Sequence, residues 1–181
     1  MKYRFYIILL FLFSVLLLTG CLFPVNNQKQ NTAAQTINSE DSLFSVTVPK
    51  GWVEVTDHSL NDQAELQAKR LYGNQYFVAI IENKNDLENY TFDEWLTKAR
   101  DRYLATFESC TIITDKDVII DGQPAKQYEI NMIKDRVKIT MLATYINGKN
   151  YFAQILAWTI TSKYKSSFEE LNAITNSIKG L

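Results

Sequence analysis

The sequence contains two cysteines, one histidine and little net charge, and each scarcity excludes a class of protein. A zinc site normally draws on several His or Cys ligands, so we expect no metal centre. Residues 1–20 hold two basic residues and no acidic ones, which leaves 17 basic and 20 acidic residues beyond them and a formal charge of −3. Because this remainder lacks the basic excess with which proteins bind phosphate backbones, we expect no nucleic-acid partner.

The chain also lacks the motifs of common catalytic and cofactor sites. It has no glycine-rich phosphate loop and no Gly-x-Ser-x-Gly motif, so we expect no cofactor and no catalytic residue. A Ser-His-Asp triad would have to use His58, which lies in a polar stretch and is expected to be a solvated surface residue. Asp86 and Glu88 lie in the polar segment 83–89, where an acid–base pair or a cation site is the alternative to a solvated loop. We therefore predict a protein that is not an enzyme, with a hydrolase that uses acidic residues as the alternative.

The main apolar run lies at the N-terminus and is short for a membrane-spanning helix. It covers Phe5–Thr19, about 15 residues or roughly 22 Å of helix, whereas a spanning helix needs about 20 residues. Lys2 and Arg4 precede it, and small residues follow it. A basic start, an apolar centre and a small-residue end are typical of a secretory signal peptide. We predict that residues 1–20 are such a signal, with an uncleaved anchor helix as the alternative.

Cys21 stands at the end of this run, in the sequence Leu18-Thr19-Gly20-Cys21. This sequence resembles the lipobox of bacterial lipoproteins. The resemblance implies a diacylglyceryl thioether on the Cys21 thiol and cleavage of the chain just before it, with Gly20 leaving the scissile bond unobstructed. Two acyl chains hold a protein firmly on a bilayer, whereas one gives only marginal binding. We therefore predict a lipid-anchored protein on the extracytoplasmic face of the cell membrane.

With Cys21 lipidated, Cys110 is the only other cysteine, so no disulfide can form within the mature chain. The domain must be held by its core. We expect Cys110 to be a small packing residue, with a reactive thiol as the alternative.

The rest of the chain divides into a tether and one domain. Residues 21–42 are mostly polar and cannot bury enough surface to fold, so they are predicted to form a flexible tether. Residues 43–181, about 140 residues, are long enough for one sizeable core and are predicted to form a single globular domain.

Period-two alternation and turn residues predict a domain rich in strands. Strands are expected at 43–48, 52–55, 63–71, 76–81, 112–120, 125–133, 137–145 and 151–159. The composition of 63–71 would also suit a helix. Asn147-Gly148 predicts a hairpin turn between the last two strands.

Two amphipathic helices complete the pattern. One is predicted at 92–107, with Thr91 and Glu94 as a capping box, and the other at 167–178, with Ser167 and Glu170 in the same roles. The two strands around Asn147-Gly148 are apolar on both faces and need cover on both sides. The expected fold is α+β, an antiparallel β-sheet with helices packed on it.

The segment 44–52, Phe-Ser-Val-Thr-Val-Pro-Lys-Gly-Trp, resembles the opening of PsbP-like domains, which include bacterial lipoproteins of the DcrB type. Asp-Gly-Gln-Pro-Ala at 121–125, before a meander and a final helix, fits the same family. The resemblance implies a PsbP-like α/β/α sandwich that binds or helps assemble larger protein complexes. One protein of this fold binds a nuclear-import GTPase, so the fold does not fix the function. The histidine pair proposed to bind metal in photosynthetic members has no match here.

These features lead to one main hypothesis and, besides the envelope hydrolase named above, one alternative. The main hypothesis is a membrane-anchored, non-catalytic binding or accessory domain that acts on a protein complex of the cell envelope. The alternative is a ligand-binding lipoprotein with an aromatic-lined groove, for which Trp52 and Trp158 are the candidate ligand-binding residues. Core packing is the competing interpretation of both, as it is of Trp95.

Overall fold

The computed structural model describes residues 33–87 and 90–181, apart from the side chain of Tyr103. The strands in these ranges are β1 (Gln35–Asn38), β2 (Ser45–Val48), β3 (Trp52–Glu54), β4 (Leu66–Arg70), β5 (Gln75–Asn83), β6 (Ser109–Ile120), β7 (Gln123–Lys134), β8 (Val137–Asn147) and β9 (Tyr151–Ile160). The α-helices are α1 (Phe92–Leu104) and α2 (Thr161–Asn176), and a 3-10 turn spans Lys84–Asp86.

Seven of these strands form one antiparallel sheet in the order β3-β4-β5-β9-β8-β7-β6. Strands β1 and β2 form a separate antiparallel ribbon. The ribbon and α2 pack together on one face of the sheet, here called the α2 face, and α1 packs on the other, the α1 face. The predicted α+β sandwich, an antiparallel sheet between helices, is thus confirmed.

The central strands β8 and β9 bury apolar side chains on both faces. Ala143 and Leu156 are register partners in the core under α1, whereas Ile155 and Ile146 belong to the core under α2. Each fully buried aliphatic side chain contributes about 1.5–3 kcal/mol relative to an exposed one. The prediction that these strands need cover on both sides is confirmed.

Two local predictions are also confirmed. The segment 63–71 contains the strand β4, not a helix, and β4 pairs with β5 across the Gly73-Asn74 turn. Helix α1 begins with the predicted capping box, because the Glu94 N–H donates to Thr91 Oγ1 at 3.3 Å and the Thr91 N–H donates to Glu94 Oε2 at 2.9 Å. These bonds satisfy two donors that a helix N-terminus leaves free.

The predicted start of the last helix at Ser167 is wrong. Helix α2 begins at Thr161, directly after β9, and Ser167 lies inside it. The Ser167 hydroxyl is buried and accepts a 2.7 Å hydrogen bond from Gln75 Nε2, so it joins the helix to the sheet. Glu170 likewise bonds to residues of the sheet rather than to the helix backbone.

The prediction that the tether extends to residue 42 is also wrong. Residues 35–38 form β1, which pairs with β2 from Gln35↔Val48 to Asn38↔Ser45. Ile37 is the one large apolar residue of this strand, and it is buried in the core of the α2 face. A single buried Ile within a polar segment gives no hydrophobic pattern, which is why composition favoured a coil. Residues 21–32 of the predicted tether lie outside the described residues.

Candidate functional site

The two faces of the sheet are not covered to the same extent. On the α1 face, Trp95 and Leu96 of α1 pack near the middle of the sheet, in one core with Phe152 and Tyr145. Helix α1 ends at Leu104, whose carbonyl lies against Cys110 of β6. It leaves side chains of β5 and β9 only partly buried at the end of the sheet where β5 and β8 begin and β4, β7 and β9 finish. This end is called the open end of the sheet.

At the open end, Trp158 of β9 is register partner of Tyr76 of β5. The two rings stack, with centroids 5.3 Å apart and planes 21° from parallel. Both side chains are only partly buried. Ile139 of β8 lies one alternation further out on the same face, and Val137 beyond it is 47% exposed. The result is an aromatic and aliphatic surface open to solvent.

Two cavities meet at this surface, and both are lined by Lys134, Ile139 and Trp158. The larger, about 400 Å³, extends toward Tyr76 and the β7–β8 turn. The smaller, about 260 Å³, extends under Leu60 and Phe107. Their volumes are close to the lower range for small-molecule sites, 300–1,000 Å³. Together they are called the Trp158 groove, defined by Tyr76, Phe107, Lys134, Val137, Ile139 and Trp158.

Lys134 supplies a positive charge at the rim of the Trp158 groove. Its side chain is exposed, and Nζ lies 5.9 Å from the centroid of the Phe107 ring. A cation at this distance from an aromatic face is weakly attracted to it. The Asp135 carboxylate lies at the same rim. The groove therefore combines an apolar floor with a charged edge, an arrangement suited to binding.

Trp52, the other tryptophan predicted to line a groove, lies on the opposite face. It is fully buried in the core under α2, and its Nε1–H donates to Glu170 Oε1 at 2.6 Å. It lines none of the cavities described here. The core interpretation therefore applies to Trp52, because a ligand could reach its ring only by displacing α2.

Trp95 lies in the core of the α1 face, as the core interpretation expected. It is 4% exposed, stacks on Phe152 with centroids 4.9 Å apart, and donates from Nε1 to Glu82 Oε2 at 2.6 Å. Its edge borders a more polar cavity of about 290 Å³ beside α1. Glu82 and Lys98 in this cavity already have partners, Trp95 and Tyr90, so the Trp158 groove is the better candidate site.

The side chains of Cys110 and His58 both form hydrogen bonds with neighbouring residues. The Cys110 thiol is partly buried and donates to the Leu104 carbonyl at 3.5 Å, and burial raises the pKa of this thiol above its usual range. A raised pKa leaves little thiolate at neutral pH, which favours the packing interpretation. His58 is exposed, and its Nδ1 is bonded to Gln67 Nε2 at 2.9 Å.

Hydrogen bonds hold three exposed carboxylates in the ionised form. Hydrogen bonds from Ser39, Ser59 and Thr91 lower the pKa of Asp41, Asp57 and Glu94 respectively, so these groups stay ionised. A general acid at neutral pH needs a raised pKa. Asp86 belongs to the 3-10 turn, and Glu88 lies outside the described residues.

Two absences hold for the described part of the chain. Within residues 33–87 and 90–181, no group of three or more His, Cys, Asp or Glu side chains is placed to hold a metal ion. No helix in the same ranges has the length and apolar character needed to cross a bilayer. The predicted lipid site, Cys21, lies outside the described residues.

The fold was compared with known proteins. No protein-family model matches the chain, and no curated protein matches it in sequence. Among solved structures, cyanobacterial PsbP (CyanoP) from Synechocystis sp. PCC 6803 is similar, with a TM-score of 0.63 and 14% identity over 84% of this chain and 95% of that one. LpqN, involved in cell envelope biogenesis of Mycobacterium tuberculosis, has a TM-score of 0.57 and 12% identity over 81% and 84% of the two chains.

A eukaryotic protein shares the same architecture. The Saccharomyces cerevisiae Ran-binding protein Mog1p has a TM-score of 0.56 and 8% identity over 82% of this chain and 96% of its own. At such low identities these similarities establish the fold alone. The chain has the PsbP-like fold that the segment at 44–52 predicted.

Proposed function

We propose that this chain is a non-catalytic binding domain of the bacterial cell envelope, held on the extracytoplasmic face of the membrane by lipid on Cys21. The Trp158 groove is its binding site. The observation that carries the proposal is the stacked Tyr76–Trp158 pair beside two cavities that share Trp158 in their lining, at the end of the sheet that α1 leaves open. Such concave apolar surfaces with a few polar groups are the usual form of binding sites.

Two of the structural neighbours support a binding or accessory role. LpqN takes part in cell envelope biogenesis and Mog1p binds Ran, and both share this fold. In the present chain, the groove has an apolar floor, and its charged lining residues are Lys134 and Asp135 at the rim. Binding by shape and apolar contact is the activity that these residues support.

The anchor is tested separately from the groove. In Cys21→Ser, we expect the precursor to remain unprocessed and incorporation of labelled fatty acid to be lost. If the wild-type chain incorporated no labelled fatty acid, the proposed anchor would be wrong. This result would be independent of whether the Trp158 groove binds a partner.

The groove is tested by affinity capture after mild crosslinking in native membranes. Trp158→Ala should reduce the yield of a defined crosslinked species about tenfold, because an aromatic anchor in a groove typically contributes 1.4 kcal/mol or more. Glu169→Ala, an exposed change on α2, is the control and should leave the yield unchanged. Equal yields from wild type and Trp158→Ala would exclude the groove as the binding site.

A small apolar molecule is the second candidate ligand, because the larger cavity, about 400 Å³, is big enough to hold one. A ligand of this kind should raise the unfolding temperature of wild type and not that of Trp158→Ala. A panel of apolar and aromatic compounds that shifts neither protein would count against this candidate.

A further inference from the structure

Exposed apolar side chains project from several separate elements at the open end of the sheet. Tyr72, in the β4–β5 turn, is 87% exposed, and Val137, at the start of β8, is 47% exposed. The partly buried Tyr76 and Trp158 lie between them in the sheet. Because these residues come from different hairpins, they suit a broad surface better than a single inserted peptide.

The same end concentrates positive charge. Its basic residues are Lys69 at the end of β4, Lys134, Arg136 and Lys138 around the β7–β8 turn, and Lys163 in the first turn of α2. The acidic residues beside them are Asp135, Glu108 and Asp57, which interacts electrostatically with Lys69, while Arg70 is neutralised by Glu170. These five cations and three anions give a local formal charge of +2, although the chain beyond residue 20 carries −3. Positive charge is thus segregated to the end that also exposes tyrosine and tryptophan.

The chain also enters the folded domain at this end. Gln35, at the start of β1, donates from Nε2 to the Trp52 carbonyl at 3.2 Å. Trp52 is the register partner of Arg70, two residues before Tyr72. The fourteen peptide steps between Cys21 and Gln35 can span at most about 50 Å. A lipid on Cys21 would therefore keep the open end within this distance of the bilayer.

We propose that the open end of the sheet docks on the anionic surface of the membrane that anchors the chain, with Trp158 and Tyr72 at the level of the lipid headgroups. The inference rests on the proposed function, since it names the partner of the Trp158 groove. Tryptophan and tyrosine favour the headgroup region of bilayers, and basic side chains are attracted to anionic lipids. The basic residues of the open end complement an anionic surface, and the short segment after Cys21 keeps this end near the bilayer. Both features favour a flat, anionic membrane over a protein segment as the partner.

The first test uses the lipidated full chain reconstituted in vesicles of phosphatidylcholine and phosphatidylglycerol with brominated acyl chains. Bromine quenches tryptophan that reaches the bilayer, and Trp52 and Trp95 are 0% and 4% exposed. We expect quenching in wild type and its loss in Trp158→Phe. Equal quenching of wild type and Trp158→Phe, or no quenching of either, would overturn the proposal.

The second test removes the lipid and measures the surface charge. The chain from residue 21 onward, with Cys21→Ser, should sediment with vesicles that contain phosphatidylglycerol and not with phosphatidylcholine alone. Lys138→Gln should weaken this binding about fivefold at low salt. Lys149→Gln is the matched control, because Lys149 is also exposed but lies past the opposite end of β8, and it should have no effect.

Failure of this inference can be told apart from failure of the proposed function. The chain could fail to bind anionic vesicles and still crosslink to a protein in native membranes in a way that depends on Trp158. In that case membrane docking is wrong and the proposed function stands. If neither vesicles nor any crosslinked species depends on Trp158, both are wrong.

Discussion

Glu170 joins helix α2 to the edge of the sheet, and its removal should destabilise the domain measurably. Its Oε1 accepts the indole N–H of Trp52 at 2.6 Å, and its Oε2 accepts from Arg70 Nη1 at 2.6 Å. In Glu170→Ala the N–H of a fully buried indole loses its partner, which costs about 1–3 kcal/mol. The ion pair adds at most about 1 kcal/mol, because the Arg70 side chain is 38% exposed and solvent screens it. The expected loss is about 2–3 kcal/mol.

Urea denaturation followed by circular dichroism would measure this loss. Glu170→Gln keeps an acceptor for Trp52 and loses only the charge, so it should cost about 1 kcal/mol or less. Glu169→Ala alters the neighbouring exposed carboxylate and should stay within about 0.5 kcal/mol of wild type. If Glu170→Ala were as stable as Glu169→Ala, the buried hydrogen bond to Trp52 would not contribute as argued.

Further predictions concern the core, a helix end and the C-terminus. Trp95→Ala should lower the free energy of unfolding by about 3–5 kcal/mol in urea denaturation. Trp158→Ala should lower it by well under half of that, because Trp95 is buried and Trp158 is only partly buried. Similar losses for the two variants would contradict an open groove. Thr91→Ala removes the N-cap of α1 and should cost about 1 kcal/mol in the same assay, and no loss would refute the cap. Burial would raise the pKa of Asp121, but hydrogen bonds from Lys179 and the last two backbone N–H groups outweigh it and lower the pKa below 3.8. Wild type should therefore be more stable than Asp121→Asn above about pH 4 and lose this advantage as the pH falls further, and a difference that persists at pH 2 would refute the linkage.

Much of the fold could be predicted because local and global signals agree. The strands around Asn147-Gly148 are apolar on both faces and have a strong turn between them, so their pairing and the cover on both sides followed directly. Thr91 and Glu94 bond only to each other and the helix end, and their pattern was readable. Local chemistry was decisive wherever no distant residue competed for it.

The errors arose where a distant partner outweighed the local pattern. Glu170 has the spacing of a capping box with Ser167, yet each bonds to the sheet, and the helix starts six residues earlier. Ile37 is buried by pairing with β2, which lies beyond the reach of a composition argument. No pattern in the neighbouring sequence indicates the contacts of Ser167 and Glu170 with the sheet or the burial of Ile37.

The candidate site was half predictable for the same reason. Alternation put Val137 and Ile139 on one face of β8, and tryptophan content marked Trp158 and Trp52 as equal candidates. What separates the two tryptophans is the position of the helices, since α2 covers Trp52 and α1 leaves Trp158 partly exposed. How much of the sheet each helix covers depends on tertiary packing, and no sequence motif predicts it.

The central claim is that the open end of the sheet, with the Trp158 groove, is the binding surface of a membrane-anchored domain. Photocrosslinking in native membranes tests it most directly, with a photoreactive amino acid placed at Val137 in the groove or at Lys149 past the opposite end of β8. The account predicts a defined lipid or protein adduct from position 137 and none from position 149. Adducts from position 149 alone, or equal adducts from both positions, would contradict it.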